Sequence, residues 1–369
     1  MEPLLLNPEL GVVSLTLELI DIPSVSGDEL AIADAVENAL RQCSWLEVFR
    51  FRNNVVAKTS LGRPSRVILA GHLDTVPAAD NAKAMTILAG ETLPSDNSTI
   101  PHDIVFGLGA CDMKGGVAVA LRAATSISEP IFDVTYLFYE CEEIESARNG
   151  LTLIAREHPE WLGADVAVLL EPSNSRIEAG CQGTLRARIS ATGARAHSAR
   201  SWLGTNAIHA LSGALETLNT YQAQEVLIDG LTYREGLNAV GIAGGVAGNV
   251  IPDEASIDIN YRYAPSKSAQ DAQDYIDELF SNYEVSILDN ASGALPGLQE
   301  PAIQDLLARV GDEVLPKLGW TDVARFSSLG IPAVNLGPAD PGLAHSRNEH
   351  VTLEQLQKCE EIIFSWLNG

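Results

Sequence analysis

Four short apolar runs in this 369-residue sequence lead into ionisable side chains. Val67 to Gly71 runs into His72 and Asp74, Val134 to Tyr139 into Glu140, Glu142 and Glu143, and Val166 to Leu170 into Glu171, while Ala333 to Leu336 is followed within one loop by His345. Taken singly, a carboxylate after a strand is an ordinary solvated turn residue. Taken together, these side chains converge on one edge of a sheet, and in open α/β sheets ligands gather outside the carboxyl ends of the strands. Two histidines and several carboxylates with no compensating lysine repel one another unless cations stand among them. Histidine and carboxylate donors without cysteine suit zinc, with cobalt or manganese also compatible.

The spacing divides the work. Residues two apart on an extended segment face the same way, so His72 can bind metal while Asp74 orients its imidazole from behind. The neighbouring Glu142 and Glu143 diverge from a loop, which lets one ligate and the other meet a substrate. Asp112 stands in G-L-G-A-C-D-M-K-G-G (Gly107 to Gly116), just before a predicted helix. Alone it reads as a helix cap; placed with the His72 cluster it can bridge two metal ions, which in such sites lie about 3.5–4 Å apart. Cys111 and Cys141 flank the cluster and read as small buried residues rather than ligands.

The elements that must position these groups follow from periodicity. Helical spacing marks Glu9 to Ile20, and also Asp28 to Gln42, the latter with Ser26 and Gly27 as start signals. It recurs at Gly115 to Ser126, Asn149 to Glu157, Pro301 to Leu315 and Leu353 to Leu367. The four apolar runs are continuous, as buried parallel strands should be. Between Gln182 and Asn290 the pattern changes to alternating strands at Thr184 to Ala191, Asn238 to Val246 and Ala255 to Tyr263, with helical stretches at Thr205 to Leu218 and Ser268 to Ser281. The turn-rich Asn290 to Gly297 then returns to the first pattern. The expected fold is an α/β domain with a mainly parallel central sheet (residues 1–181 and 291–369), interrupted by an inserted α+β domain with an antiparallel sheet (182–290). Length agrees, since single cores stop growing near roughly 250–300 residues.

Composition narrows the partners. With 46% hydrophobic and 20% charged residues the chain can bury a sizeable interior. A net charge of -25 argues against a nucleic-acid partner. Five scattered cysteines point to a reducing cytoplasm. No apolar run reaches the roughly 18–20 residues of a membrane span, and the N-terminus has no basic targeting signature.

The segments G-H-L-D-T-V-P (Gly71 to Pro77), G-L-G-A-C-D-M-K-G-G, C-E-E (Cys141 to Glu143), L-E-P (Leu170 to Pro172), H-S (His197 and Ser198) and H-S-R-N-E (His345 to Glu349) resemble the successive signatures of dinuclear zinc deacylases and exopeptidases. That family includes succinyl-diaminopimelate desuccinylase, acetylornithine deacetylase, aminoacylase and a glutamate carboxypeptidase. The motifs occur in family order over essentially the whole chain. The resemblance implies that His72, Asp112 and Glu171 hold one zinc while Asp112, Glu143 and His345 hold the other. It makes Glu142 the general base, Asp74 the residue that tunes His72, and His197 a donor that reaches across a dimer to the oxyanion. It implies a cis peptide at Asp112–Met113 and an inserted domain that acts as lid and dimer interface.

Substrate is less sharply marked. Glu171 resembles the deacylase and carboxypeptidase branch. Asn249, Arg262 and Arg325 fall where desuccinylases place groups for substrate carboxylates, which suits a small, multiply charged acylated amino acid. The run His197 to Asn206 resembles a desuccinylase subgroup, although Cys181 and Cys141 depart from the commonest pattern. The expectation is desuccinylation, with deacetylation of acetylornithine, aminoacylase or carboxypeptidase activity as alternatives within the family. A catalytically inactive metal-binding protein is the alternative of another class, and the presence of Glu142 and His197 argues against it. The glycine-rich Gly241 to Gly248 does not make a dinucleotide site, because it lies among antiparallel strands.

Overall fold

In a computed structural model, which describes residues 5–311 and 313–369, the apolar runs form the strands Arg66–His72, Asp133–Tyr139, Val166–Pro172 and Ala333–Gly337. They lie in the order Asp133–Tyr139, Arg66–His72, Val166–Pro172, Ala333–Gly337 and pair in parallel. Their near-continuous burial explains why they read as unbroken apolar runs: helices cover the sheet, so neither face needs polar side chains. An antiparallel hairpin, Glu47–Phe51 and Asn54–Lys58, extends one side. The short strands Glu178–Ala179 and Leu315–Pro316 complete the other, giving eight strands.

Register decides where the ionisable groups go. His72 pairs with Tyr139 and Ala70 with Leu169, so the residues that follow these strands leave the sheet at one edge. Helix Lys114–Ser126 crosses behind that edge, packed against Arg66–His72 and Val166–Pro172 and against helices Val12–Ile20 and Leu353–Asn368. Its small residues are required by this approach. A Cβ added at Gly116 would stand 2.1 Å from the Leu170 carbonyl oxygen.

The chain divides into two compact units. One comprises residues up to Ala179 with Gly297–Leu315 and Arg325–Gly369; the other comprises Gly180–Pro296 with Pro316–Ala324. Residues 1–4 of the expected first segment lie outside the described residues. The return of Pro316–Ala324 to the inserted unit is a difference from the sequence reading. It follows from long-range contacts, with Gln182 N donating to Lys317 O at 3.3 Å and Trp320 Nε1 to Ser292 O at 3.0 Å.

Within the inserted unit, strands Gly236–Gly244, Glu254–Tyr263, Gly183–Thr192 and Glu284–Ala291 form an antiparallel sheet in that order. One face buries Leu185, Ala187, Ile189, Ile257, Ile259 and Tyr261 beneath helices that include Ala269–Leu279. The other face is polar, with Arg188 holding Asp258 through two bonds of 2.7 and 2.8 Å.

Several helical readings are shortened. The expected Pro301 to Leu315 helix ends at Val310, because Gly311 takes a left-handed conformation (φ 66°) and Leu315 joins the sheet; Asp312, within that reading, lies outside the described residues. Thr205 to Leu218 is two helices, Ala207–Ala210 and Ser212–Asn219. Ser26 does not start the second helix, which begins at Leu30 after Glu29. No helix among the described residues is long and apolar enough to cross a membrane.

Candidate metal centre

Asp112 is the pivot of the sheet-edge cluster. It does not cap the helix that follows, whose first turn is preceded by Met113. Its Oδ1 lies 3.0 Å from His72 Nε2, while Oδ2 lies 3.4 Å from His345 Nε2. The peptide to Met113 is cis. Beyond each histidine stands a second carboxylate: Glu171 Oε1 is 3.9 Å from His72 Nε2, and Glu143 Oε1 is 2.9 Å from His345 Nε2. Donors bound at about 2.0–2.2 Å stand about 3.3 Å apart around a tetrahedral ion, so these separations fit the edges of two ligand sets that share Asp112. Donor atoms of His72, Asp112 and Glu143 all lie within 4.8 Å of one another.

The electrostatics make the same demand. Burial pushes the His72 imidazole down, but its hydrogen bonds with Asp112 and Asp74 outweigh that and hold it well above its ordinary value. Asp112 and Glu143 push His345 up to about 10. Burial alone would raise the Asp112 carboxyl, whereas His345 and His72 bring it well below the usual range. The carboxylates thus draw positive charge onto the imidazoles, and a divalent ion that displaces those protons satisfies the same field.

Asp74 does more than the sequence reading assigned to it. His72 Nδ1 is 3.0 Å from the Asp74 carbonyl and 3.4 Å from its Oδ1, which leaves Nε2 as the nitrogen facing Asp112. The Asp74 carboxylate also accepts from Glu142 N at 2.9 Å, Glu143 N at 3.1 Å and Ser26 Oγ at 2.7 Å. One fully buried side chain therefore sets both the histidine and the paired glutamates.

Glu349, quoted within a motif but given no role, supports the other side. Only 1% exposed, it accepts from the Cys111 and Asp112 amides at 3.1 and 3.0 Å. Burial, together with the charge of Asp112, raises its carboxyl to about 7. Lys114, also buried, donates to Ile22 O at 2.7 Å and is lowered to about 7 by burial. Neither was legible from spacing, since only the fold brings residues 109–114 beside 349. The cysteine sulfurs are engaged elsewhere: Cys111 with Asp340 O and Cys141 with Glu29. All five cysteines are free and buried.

The remaining expected residues are distributed. Arg325 belongs to the metal-binding unit, where its Nη1 donates to Ser146 Oγ at 2.7 Å and Thr152 Oγ1 at 2.8 Å, just beyond the paired glutamates. His197, Asn249 and Arg262 belong to the inserted unit. His197 and Val250 pair across a short ladder, and Asn249 O accepts from Ser198 N, which brings Asn249 beside His197. His197 Nδ1 accepts from Ala199 N at 3.0 Å, so its neutral ring carries the proton on Nε2. Arg262 sits on the polar face of the antiparallel sheet, its Nε bonded to Asn260.

A mainly parallel sheet whose carboxyl edge gathers histidines and carboxylates around one two-faced aspartate, with a further glutamate beside them, defines a metal-dependent hydrolase. The chain belongs to peptidase family M20/M25/M40, whose sequence model matches residues 68–368. It is 54% identical to a Mycobacterium tuberculosis protein named "Putative succinyl-diaminopimelate desuccinylase DapE", over 360 residues that cover 97% of this chain and 98% of the relative. It is 47% identical to the succinyl-diaminopimelate desuccinylase of Corynebacterium glutamicum, over 96% of each chain. Its fold matches that of a Staphylococcus aureus tripeptidase with a TM-score of 0.77, at 20% identity and 98% coverage of both chains.

Proposed function

We propose that this chain releases succinate from N-succinyl-diaminopimelate by metal-assisted amide hydrolysis. The observation that carries the metal chemistry is Asp112, whose two oxygens face two different histidines. His72, Asp112 and Glu171 would hold one divalent ion and Asp112, Glu143 and His345 the other, zinc best matching the donors and cobalt or manganese remaining compatible. When bound, such ions supply Lewis acidity at the scissile carbonyl and make water a better nucleophile near neutral pH.

The chain's own groups do the rest. Glu143 turns toward His345, which leaves Glu142, its amide pinned by Asp74, to take a proton from the attacking water and deliver it to the leaving amine. His197, with Nε2–H available to a developing oxyanion, is suited to stabilise the tetrahedral stage. Asn249, Arg262 and Arg325 are the groups assigned to substrate carboxylates. Full-length similarity to the Corynebacterium glutamicum desuccinylase, and to the Mycobacterium tuberculosis protein that bears the same activity in its name, supports succinyl over other acyl groups. A homodimer is supported by the inserted unit's edge strand Gly236–Gly244, which exposes Val240 and Ile242 by 62% and 63%. Five free cysteines support a reducing cytoplasm.

The test is a release assay that compares N-succinyl-diaminopimelate, N-acetylornithine and a panel of acylated amino acids, with parent and Glu142→Gln proteins. Preference for the first substrate is expected. Loss of turnover in the variant by at least about 10³-fold is expected too, with metal content unchanged near two ions per chain. Comparable rates on acetylornithine would overturn the acyl assignment, and an active Glu142→Gln protein would overturn the base.

A further inference from the structure

The loop that carries Glu142 and Glu143 is held on a second side by residues with no part in the chemistry so far. Three consecutive amides, those of Cys141, Glu142 and Glu143, are taken by just two buried carboxylates. Asp74 accepts the last two. Glu29, from a position 112 residues earlier and fully buried, accepts the first: its Oε1 receives Cys141 N at 3.2 Å and Cys141 Sγ at 3.3 Å. Cys141 itself is in the left-handed region (φ 57°), a conformation that is unfavourable for a non-glycine residue and persists only where its surroundings over-determine it.

The segment that carries Glu29 also reaches Asp74. Ser26 Oγ donates to Asp74 Oδ2 at 2.7 Å, and Ser26 N donates to Thr75 O at 3.2 Å. Gly27 N donates to Glu29 Oε1 at 2.7 Å, and Asn53 Nδ2 reaches Oε2 at 3.4 Å. Beneath it, Glu140 accepts from Asn53 N and Asn54 Nδ2 at 3.3 and 3.0 Å. Glu29, Glu140 and Cys141 bring donor atoms within 4.8 Å of one another, as a metal site would. Their oxygens, however, are occupied by N–H and S–H donors from the loops they join, which makes the cluster a clamp.

We propose that the turn Ser26–Glu29 is a positioning device for this reaction, in which Glu29 holds the Cys141 backbone and Ser26 holds Asp74, so that the loop presents Glu143 to His345 and Glu142 to the attacking water. The inference rests on the roles assigned above to Glu142 and Glu143. Neither Ser26 nor Glu29 touches the reacting atoms; both act through the loop.

The experiment compares full-length Glu29→Ala, Glu29→Gln, Ser26→Ala and Glu142→Gln with the parent. It measures kcat and KM for succinate release, zinc affinity by calorimetry, and amide exchange over residues 139–144 in metal-free protein. Glu29→Ala is expected to lower kcat by about 10–100-fold with KM within about 3-fold, to weaken one zinc equivalent by a similar factor, and to speed exchange at Cys141. Glu29→Gln, which keeps an acceptor for that amide, is expected to restore kcat to within about 5-fold of the parent.

Parent-like kcat, zinc affinity and exchange in a folded Glu29→Ala protein would overturn the proposal, as would a Glu29→Gln protein no better than Glu29→Ala. Should Glu29→Ala not fold, Ser26→Ala decides: a fall of about 3–10-fold in kcat at constant KM supports the clamp, and an unchanged kcat overturns it. An active Glu142→Gln protein would instead mark failure of the underlying role assignment, whatever Glu29 shows.

Discussion

At the scale of single residues, the site works because a few buried carboxylates each settle more than one neighbour. Asp74 is the clearest case. Its oxygens accept two glutamate amides and a serine hydroxyl, and it also lies behind His72. An asparagine there keeps one acceptor oxygen but presents an NH2 group to an amide that must donate. Asp74→Asn is therefore expected to lower kcat by about 10–100-fold through misplacement of His72 and the glutamate pair. Steady-state kinetics beside metal analysis checks this, and a parent-like rate would remove Asp74 from its organising role.

At the scale of elements, the sheet edge depends on close approach of helix Lys114–Ser126 to strand Val166–Pro172, where Gly116 faces the Leu170 carbonyl. Gly116→Ala forces a backbone shift next to Glu171. It is expected to cost about 3 kcal/mol or more, since the obstacle is main chain and not a movable side chain. A lowered thermal midpoint would register it. At the opposite end of the sheet, Asp133 begins strand Asp133–Tyr139 and accepts from Leu61 N at 2.7 Å and Arg63 N at 3.0 Å. Burial would raise its carboxyl, but those amides, Arg66 and Thr59 outweigh burial and lower it. A carboxyl depressed on folding contributes stability above its unfolded pKa of about 3.9, and loses it as pH falls through the folded value. Asp133→Asn should thus cost about 1–3 kcal/mol at pH 7, with the gap to the parent closing below about pH 4. Denaturant titrations at pH 7 and pH 3 test the sign.

At the scale of the whole molecule, an edge strand with exposed Val240 and Ile242 is an aggregation hazard unless it is covered. A second copy of the same strand is a self-complementary cover. Sedimentation equilibrium should give a dimer. The pair Val240→Glu and Ile242→Glu should shift it toward monomer, because four like charges would then meet at the interface. A parent protein that sediments as a monomer would remove the dimer reading.

Much of the metal-binding unit was legible in sequence because its strands are buried on both faces. Burial there demands continuous apolar runs, and the first residue past each run is the first that can be charged. Placing His72, Asp112, Glu142, Glu143, Glu171 and His345 as candidates needed only that rule and the motif order. The antiparallel hairpin Glu47–Phe51 and Asn54–Lys58 was missed because its outer strand is only half buried and carries mixed residues. Glu29, Ser26 and Glu349 were missed for a stronger reason. Glu29 and Glu349 act through backbone amides, which carry no residue type for a sequence pattern to mark, Ser26 acts on the Asp74 carboxylate, and all three meet their partners across 48 to 238 positions of chain. Sequence alone determined which side chains can hold charge at the sheet edge. The tertiary structure decided which oxygen faces which histidine, and which buried carboxylates hold the loops still, because those follow from strand register and from the paths of loops that only close packing defines.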